Sequence, residues 1–111
     1  MAQKIVDISK FINNDAPQMV LYGKTYTVKS DKATVMSLND LQLKAEVNGE
    51  NADEKIIELL VGKEDAKEIC KIINESANYS DNAKVIMLNL LALATGQTYE
   101  DLEARFLKAQ Q

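Results

Sequence analysis

The stretch Asn82–Thr95 carries Val85, Ile86, Met87, Leu88, Leu90, Leu91, Ala92 and Leu93, which places apolar side chains on nearly every side of a helix. Such a helix offers water no face, so it must be covered by its neighbours or by another subunit. A chain of 111 residues holds material for one core, not two. The centre of a small bundle is therefore the first place to put this helix, with self-association or capture of an apolar partner segment as the other ways to cover it. Asn89 interrupts the run. A buried amide without a partner costs roughly 1–3 kcal/mol. Asn89 must therefore bond a neighbouring helix, fix register at a subunit contact or face a solvated gap. The most apolar stretch, Val85–Ala94, is about half the roughly 20 residues that a membrane span needs.

Helical patterning continues on either side. Ser30 and Asp31 are N-cap candidates for a first helix with Val35, Leu38, Leu41 and Ala45 on one face, ending near Asn48-Gly49. A second helix begins around Asn51 to Asp53, carries Ile56, Ile57, Leu59, Leu60 and Val61, and stops at Gly62. A third, Lys63 to Glu75, has an apolar stripe of Ala66, Ile69, Cys70, Ile72 and Ile73. Ser76–Ser80 reads as a polar linker, with Ser80 or Asp81 capping the apolar helix and Gly96 ending it. Thr98-Tyr-Glu-Asp101 resembles a capping box with Asp at its last position. The helix that follows, Tyr99 to about Lys108, sets Tyr99, Leu102 and Phe106 on one face.

The first third of the chain differs. Gln18–Lys29 is rich in Val, Tyr and Thr, and reads as a β-hairpin with its turn at Gly23-Lys24 and with Tyr22 and Tyr26 packed across it. A lone hairpin is marginal in water, so it must pack on helices or pair with a strand of another chain. In residues 4–12, Ile5, Ile8, Phe11 and Ile12 recur at helical spacing, and a short helix is expected, broken by Asn13, Asn14, Asp15 and Pro17. Met1–Lys10 contains no long apolar run of the kind a secretory signal needs.

The residues that carry chemistry are few. There is no histidine, so imidazole is absent as base, proton shuttle or metal ligand. One cysteine supports neither a disulfide nor a thiolate zinc site. Cys70 lies on an apolar stripe beside Glu68, the opposite of the electropositive setting that activates a thiol. Glu64-Asp65 and Glu100-Asp101-Glu103 sit at helix N-termini, where negative charge offsets the helix dipole. The spacing of Asn48–Glu54 does not fit a calcium loop. No glycine-rich phosphate loop occurs. No catalytic, cofactor-binding or metal-ligating residue is assigned, and no enzyme is expected.

The net charge of −4 is unevenly spread. Residues 1–45 hold six lysines against four acids, residues 46–75 four lysines against nine acids, and residues 76–111 three bases against four acids. The acidic middle repels phosphate backbones, so nucleic acid is not an expected partner, and neither is a membrane.

Two stretches, LYGKTYTVKSD at 21–31 and ADEKIIELLVGKEDAKEICKII at 52–73, resemble the tail assembly chaperones of long-tailed phages and prophages of Gram-positive bacteria. The first is a short β segment around G-K-x-Y. The second is similar to the family's helix, Leu-Leu-x-Gly, helix run. Together they cover roughly a third of the chain, and Met1–Pro17 lies outside them. The resemblance implies a small cytoplasmic protein of the bacterial host that coats a long helical tape-measure protein before the tail tube polymerises, and that self-associates. It implies no catalytic residues.

The expected fold class is α+β: one domain with an N-terminal arm (1–17), a hairpin (18–29) and a bundle of four to five helices (30–109). The expected function is a non-enzymatic assembly chaperone or adaptor that shields a tape-measure-like client through apolar helix faces. The alternative is a small structural subunit of a phage particle or other complex, associating through its hairpin edge and its apolar helix. The candidate protein-contact residues are Leu88, Asn89, Leu90, Leu91, Tyr22 and Tyr26, the partners being a client, other tail proteins or a second copy.

Overall fold

A computed structural model describes residues 5–49 and 51–109, without the side chains of Phe106 and Ala109. Among the described residues, a two-stranded antiparallel hairpin, β1 (Gln18–Leu21) and β2 (Lys24–Thr27), precedes five helices. These are α1 (Lys32–Asn48), α2 (Asp53–Val61), α3 (Lys63–Asn74), α4 (Tyr79–Thr95) and α5 (Tyr99–Ala109). The α+β class expected from the sequence is the observed one.

The hairpin pairs Met19 with Tyr26 and Leu21 with Lys24. The loop is therefore Tyr22-Gly23, one residue earlier than the expected Gly23-Lys24. Both loop residues have positive φ, 49° and 79°, as a type I′ turn requires. This register puts Met19, Leu21, Tyr26 and Val28 on the core side. A slip of one residue would turn all four outward, and the core outweighs the strain of a tyrosine in the left-handed region. The ladder extends one step, Val28 N–H to Pro17 C=O at 2.8 Å, and Lys29 N–H then bonds Leu60 C=O at 2.8 Å. That second bond fastens the strand to the end of α2.

α1 starts after Asp31, whose carboxylate accepts from the Thr34 hydroxyl at 2.5 Å, and ends at Gly49 with φ 69°. Gly62 separates α2 from α3 at φ 93° and ψ 163°, a conformation essentially closed to other residues. It turns the chain so that the apolar sides of the two helices face each other. α4 begins at Tyr79, earlier than the expected Asn82, because Ser76 organises the linker. The Ser76 hydroxyl accepts from Asn78 N–H at 3.3 Å and from the Asn82 amide, and the first turn closes by Asn82 N–H to Asn78 C=O at 3.0 Å. At α5, Asp101 N–H bonds the Thr98 hydroxyl at 3.1 Å, one half of the expected capping box.

The core joins Tyr26 and Val28 of the hairpin region to Leu38 (α1), Ile56, Ile57 and Leu60 (α2), Ile69 and Ile73 (α3), and Ile86 and Leu90 (α4). The short helix expected over 4–12 is not there. Only Ser9–Phe11 makes a 3-10 turn, capped where Ser9 N–H bonds the Asp7 carboxylate at 2.9 Å, and Lys4 lies outside the described residues. A helix this short does not hold in water without a surface to pack on, and residues 5–12 have none: all of them are exposed.

Candidate protein-contact surfaces

Three surfaces bear on function: the hairpin with its docking site, the sides of α4, and apolar side chains left in water. The hairpin is anchored by charge as well as by its core face. The Lys24 ammonium reaches the Glu68 carboxylate and lies 3.4 Å from Asp65, both on α3. Its ammonium also sits 5.0 Å from the centre of the Tyr26 ring, and the Tyr26 hydroxyl donates to Glu68 at 3.2 Å. Hydrogen bonding to Lys24 holds the Glu68 carboxyl below its ordinary value and raises the Lys24 ammonium above its own. Burial, then the bond to Glu68, pushes the Tyr26 phenol up.

This geometry separates the two tyrosines. Tyr26 is 2% exposed and belongs to the hairpin's anchor, whereas Tyr22 stands on the turn at 84% exposure. The expected packing of one ring on the other is therefore not made: the one-residue shift takes Tyr22 out of the strand.

α4 is covered on most sides by its own chain. Leu90 is fully buried with Ile86 in the core. Leu88 and Ala92 are buried on another side, in line with Lys84, whose ammonium lies 3.6 Å from Glu103 of α5. That is the side α5 closes. Leu91 is half-buried against the core, and Asn89 is half-buried with its amide donating to Val85 C=O, 2.8 Å away on the same helix. Asn89 is thus satisfied one turn back in its own helix rather than across to a neighbour. Among the six candidates, Tyr22 alone is strongly exposed. Leu88 and Leu90 reach no partner in the folded chain.

On α4 itself Tyr79 and Val85 are exposed, and further exposed apolar groups lie elsewhere. The arm of residues 5–12 exposes Ile5 (89%), Val6, Ile8, Phe11 (72%) and Ile12. On α1, Met36, Leu43 (60%) and Val47 (76%) are exposed as well. At 100° per residue these three form one narrow stripe, directly opposite Leu38 and Ala45, which face inward. α1 is thus apolar on two opposite sides, and its packing, chiefly against α2, uses one. Reading only the Val35–Leu38–Leu41–Ala45 face missed the second stripe. The same helical wheel contains it.

A cavity of about 290 Å³ opens between α2, α3 and α4, lined by Ile57, Cys70, Ile73, Ala83 and Met87 with Asn51, Asn74 and Tyr79. Burial, together with the negative charges of Glu54 and Asp53, raises the Cys70 thiol, so it is held protonated and weakly nucleophilic. Among the described residues no group of three acids or cysteines is placed to hold a metal ion. Nor is any helix among them long and apolar enough to cross a membrane. No family model, curated protein or solved structure matches the chain.

Proposed function

We propose that the chain is a non-enzymatic assembly chaperone of phage tail morphogenesis, which shields a long amphipathic, tape-measure-like client. The observation that carries this reading is the pair of exposed apolar surfaces, the arm and the outer stripe of α1. Apolar groups so grouped on a small chain mark a contact site rather than ordinary surface. A stripe at i, i+7 and i+11 suits a client helix laid along α1, the mode in which amphipathic helices are recognised. The acidic stretch 46–75 gives a coated client the charge that resists precipitation. The resemblance of 21–31 and 52–73 to tail assembly chaperones names the client class.

The test is co-expression with a long helical tape-measure-like protein. The soluble fraction of the client is expected to rise with the intact chain, and to fall back with Phe11→Asp or Leu43→Asp. An unchanged soluble fraction with the intact chain would overturn the proposal. A second reading, a structural subunit that adds strands to a neighbour's sheet, draws on the two-stranded sheet and exposed Val20. Association abolished by Val20→Asp and untouched by Leu43→Asp would favour it.

A further inference from the structure

We infer that the arm of one copy docks on the outer stripe of α1 of a second copy, and that the exchange is reciprocal. It rests on reading the arm and stripe as contact surfaces, and it names what covers them when no client is present.

The two surfaces match in chemistry and in length. The arm offers Ile5, Val6, Ile8, Phe11 and Ile12, and the stripe offers Met36, Leu43 and Val47, all exposed. From Met36 to Val47 the helix rises about 16 Å. Residues 5–12, extended, span about 23 Å, enough to run along the whole stripe. Charges fit at the edge: Lys10 stands beside Phe11 on the arm, and exposed Glu46 flanks Val47 on the helix. Asp40, at the edge of the stripe, pairs with Lys44 at 3.1 Å.

The area decides for a reciprocal pair. An extended arm turns about half of its apolar side chains to the helix, so one contact with the stripe removes roughly 700 Å² from water, below the range of stable interfaces. Two symmetric contacts remove roughly 1,400 Å², within that range. An isologous exchange of this kind is also the common way a dimer closes on itself.

The single chain leaves both halves open. The root of the arm, Asn13–Ala16, lines a shallow cavity with Thr27–Asp31, just before α1. Arm and stripe both remain in water. The Cα radius of gyration is 16.7 Å, against about 13 Å for a fully packed chain of this length.

The test combines light scattering with cysteine cross-linking of the full chain in a Cys70→Ala background. Chains carrying Ile8→Cys are mixed with chains carrying Leu43→Cys and oxidised. A covalent dimer between the two kinds of chain is expected. Phe11→Asp and Leu43→Asp are each expected to weaken dimerisation more than about tenfold, by placing a charge in an apolar contact. Far-UV circular dichroism should show their helix content unchanged. Mixing these two variants restores one of the two contacts and should recover part of the dimer. A wild-type chain that stays monomeric at every concentration overturns the exchange. So does a cross-link that forms only within chains carrying both cysteines. A monomer that still keeps the client soluble overturns the exchange alone, whereas a cross-linked dimer that gives the client no protection supports the exchange and removes the proposed function.

Discussion

α4 and α1 are equally long helices with opposite fates. α4 is apolar nearly all round and is closed in by α2, α3, α5 and the hairpin. α1 has fewer apolar residues, yet it leaves Met36, Leu43 and Val47 in water. The difference lies in chain order. α4 follows the α2–α3 pair and precedes α5, so neighbours are available on several sides. α1 sits between the hairpin and α2, and lies mainly against α2. The more apolar helix is therefore mostly core, and the apolar stripe left in water is on the less apolar one. Apolar content alone does not tell which helix keeps an exposed stripe.

Substitutions can break this contrast at its strongest point first. Leu90 is fully buried, so Leu90→Asp places an unpaired charge in the core and is expected to abolish cooperative unfolding in thermal circular dichroism. Leu90→Ala should fold but lose about 2–5 kcal/mol in urea denaturation. If Leu90→Asp folds normally and only association is lost, α4 is an interface and the contrast fails. Next in size is Gly62→Ala. No atom crowds a Cβ at this position, but its backbone angles are those of glycine, and the strain should cost about 1–3 kcal/mol by the same measurement.

A smaller effect belongs to the hairpin anchor. The folded Glu68 carboxyl is depressed by its bond to Lys24, so its contribution is complete above the ordinary carboxylate range and is lost as pH falls through the depressed value. Lys24 and Tyr26 are both raised, so their contributions hold through neutral pH and are lost on the alkaline side, as pH passes through the raised values. Thermal scans at stepped pH should show a plateau with two limbs, and Glu68→Gln should flatten the acid one. The groups are partly solvated, so the limbs should be shallow. Smallest of all is the effect of Leu43→Asp on the stability of the single chain, expected within about 0.5 kcal/mol of wild type. The same change should remove client protection. The pairing of a silent stability effect with a lost contact is the signature of an outer stripe.

Much of the fold was legible in the residues because its boundaries are set locally. Asp31, bonded to the Thr34 hydroxyl, precedes α1, and Gly49, Gly62 and Gly96 end α1, α2 and α4, each at a positive φ that favours glycine. The hairpin was legible as a hairpin, but not its loop. Glycine fills the second central position, and a tyrosine at φ 49° takes the first, a choice imposed by burial of Tyr26 and Val28 rather than by the turn itself. The arm misled for the opposite reason: Ile5, Ile8 and Ile12 have helical spacing, but spacing makes a helix only where there is something to pack against. The exposed apolar stripe was hardest to read. Leu88, Leu90 and Tyr26 drew attention as large apolar groups, and their burial depends on which elements the chain brings to them. Met36, Leu43 and Val47 form a visible stripe, but its exposure is a property of the assembled bundle.

The most direct measurement is the hydrogen-exchange footprint of the chain, free and in complex with a tape-measure-like client. Protection is expected to appear in residues 5–12 and to increase along Met36–Val47, with α4 exchanging as it does in the free chain. An unprotected arm in the complex, with the change confined to residues 82–95, would contradict the assignment of contact to the arm and α1 and return it to the apolar helix.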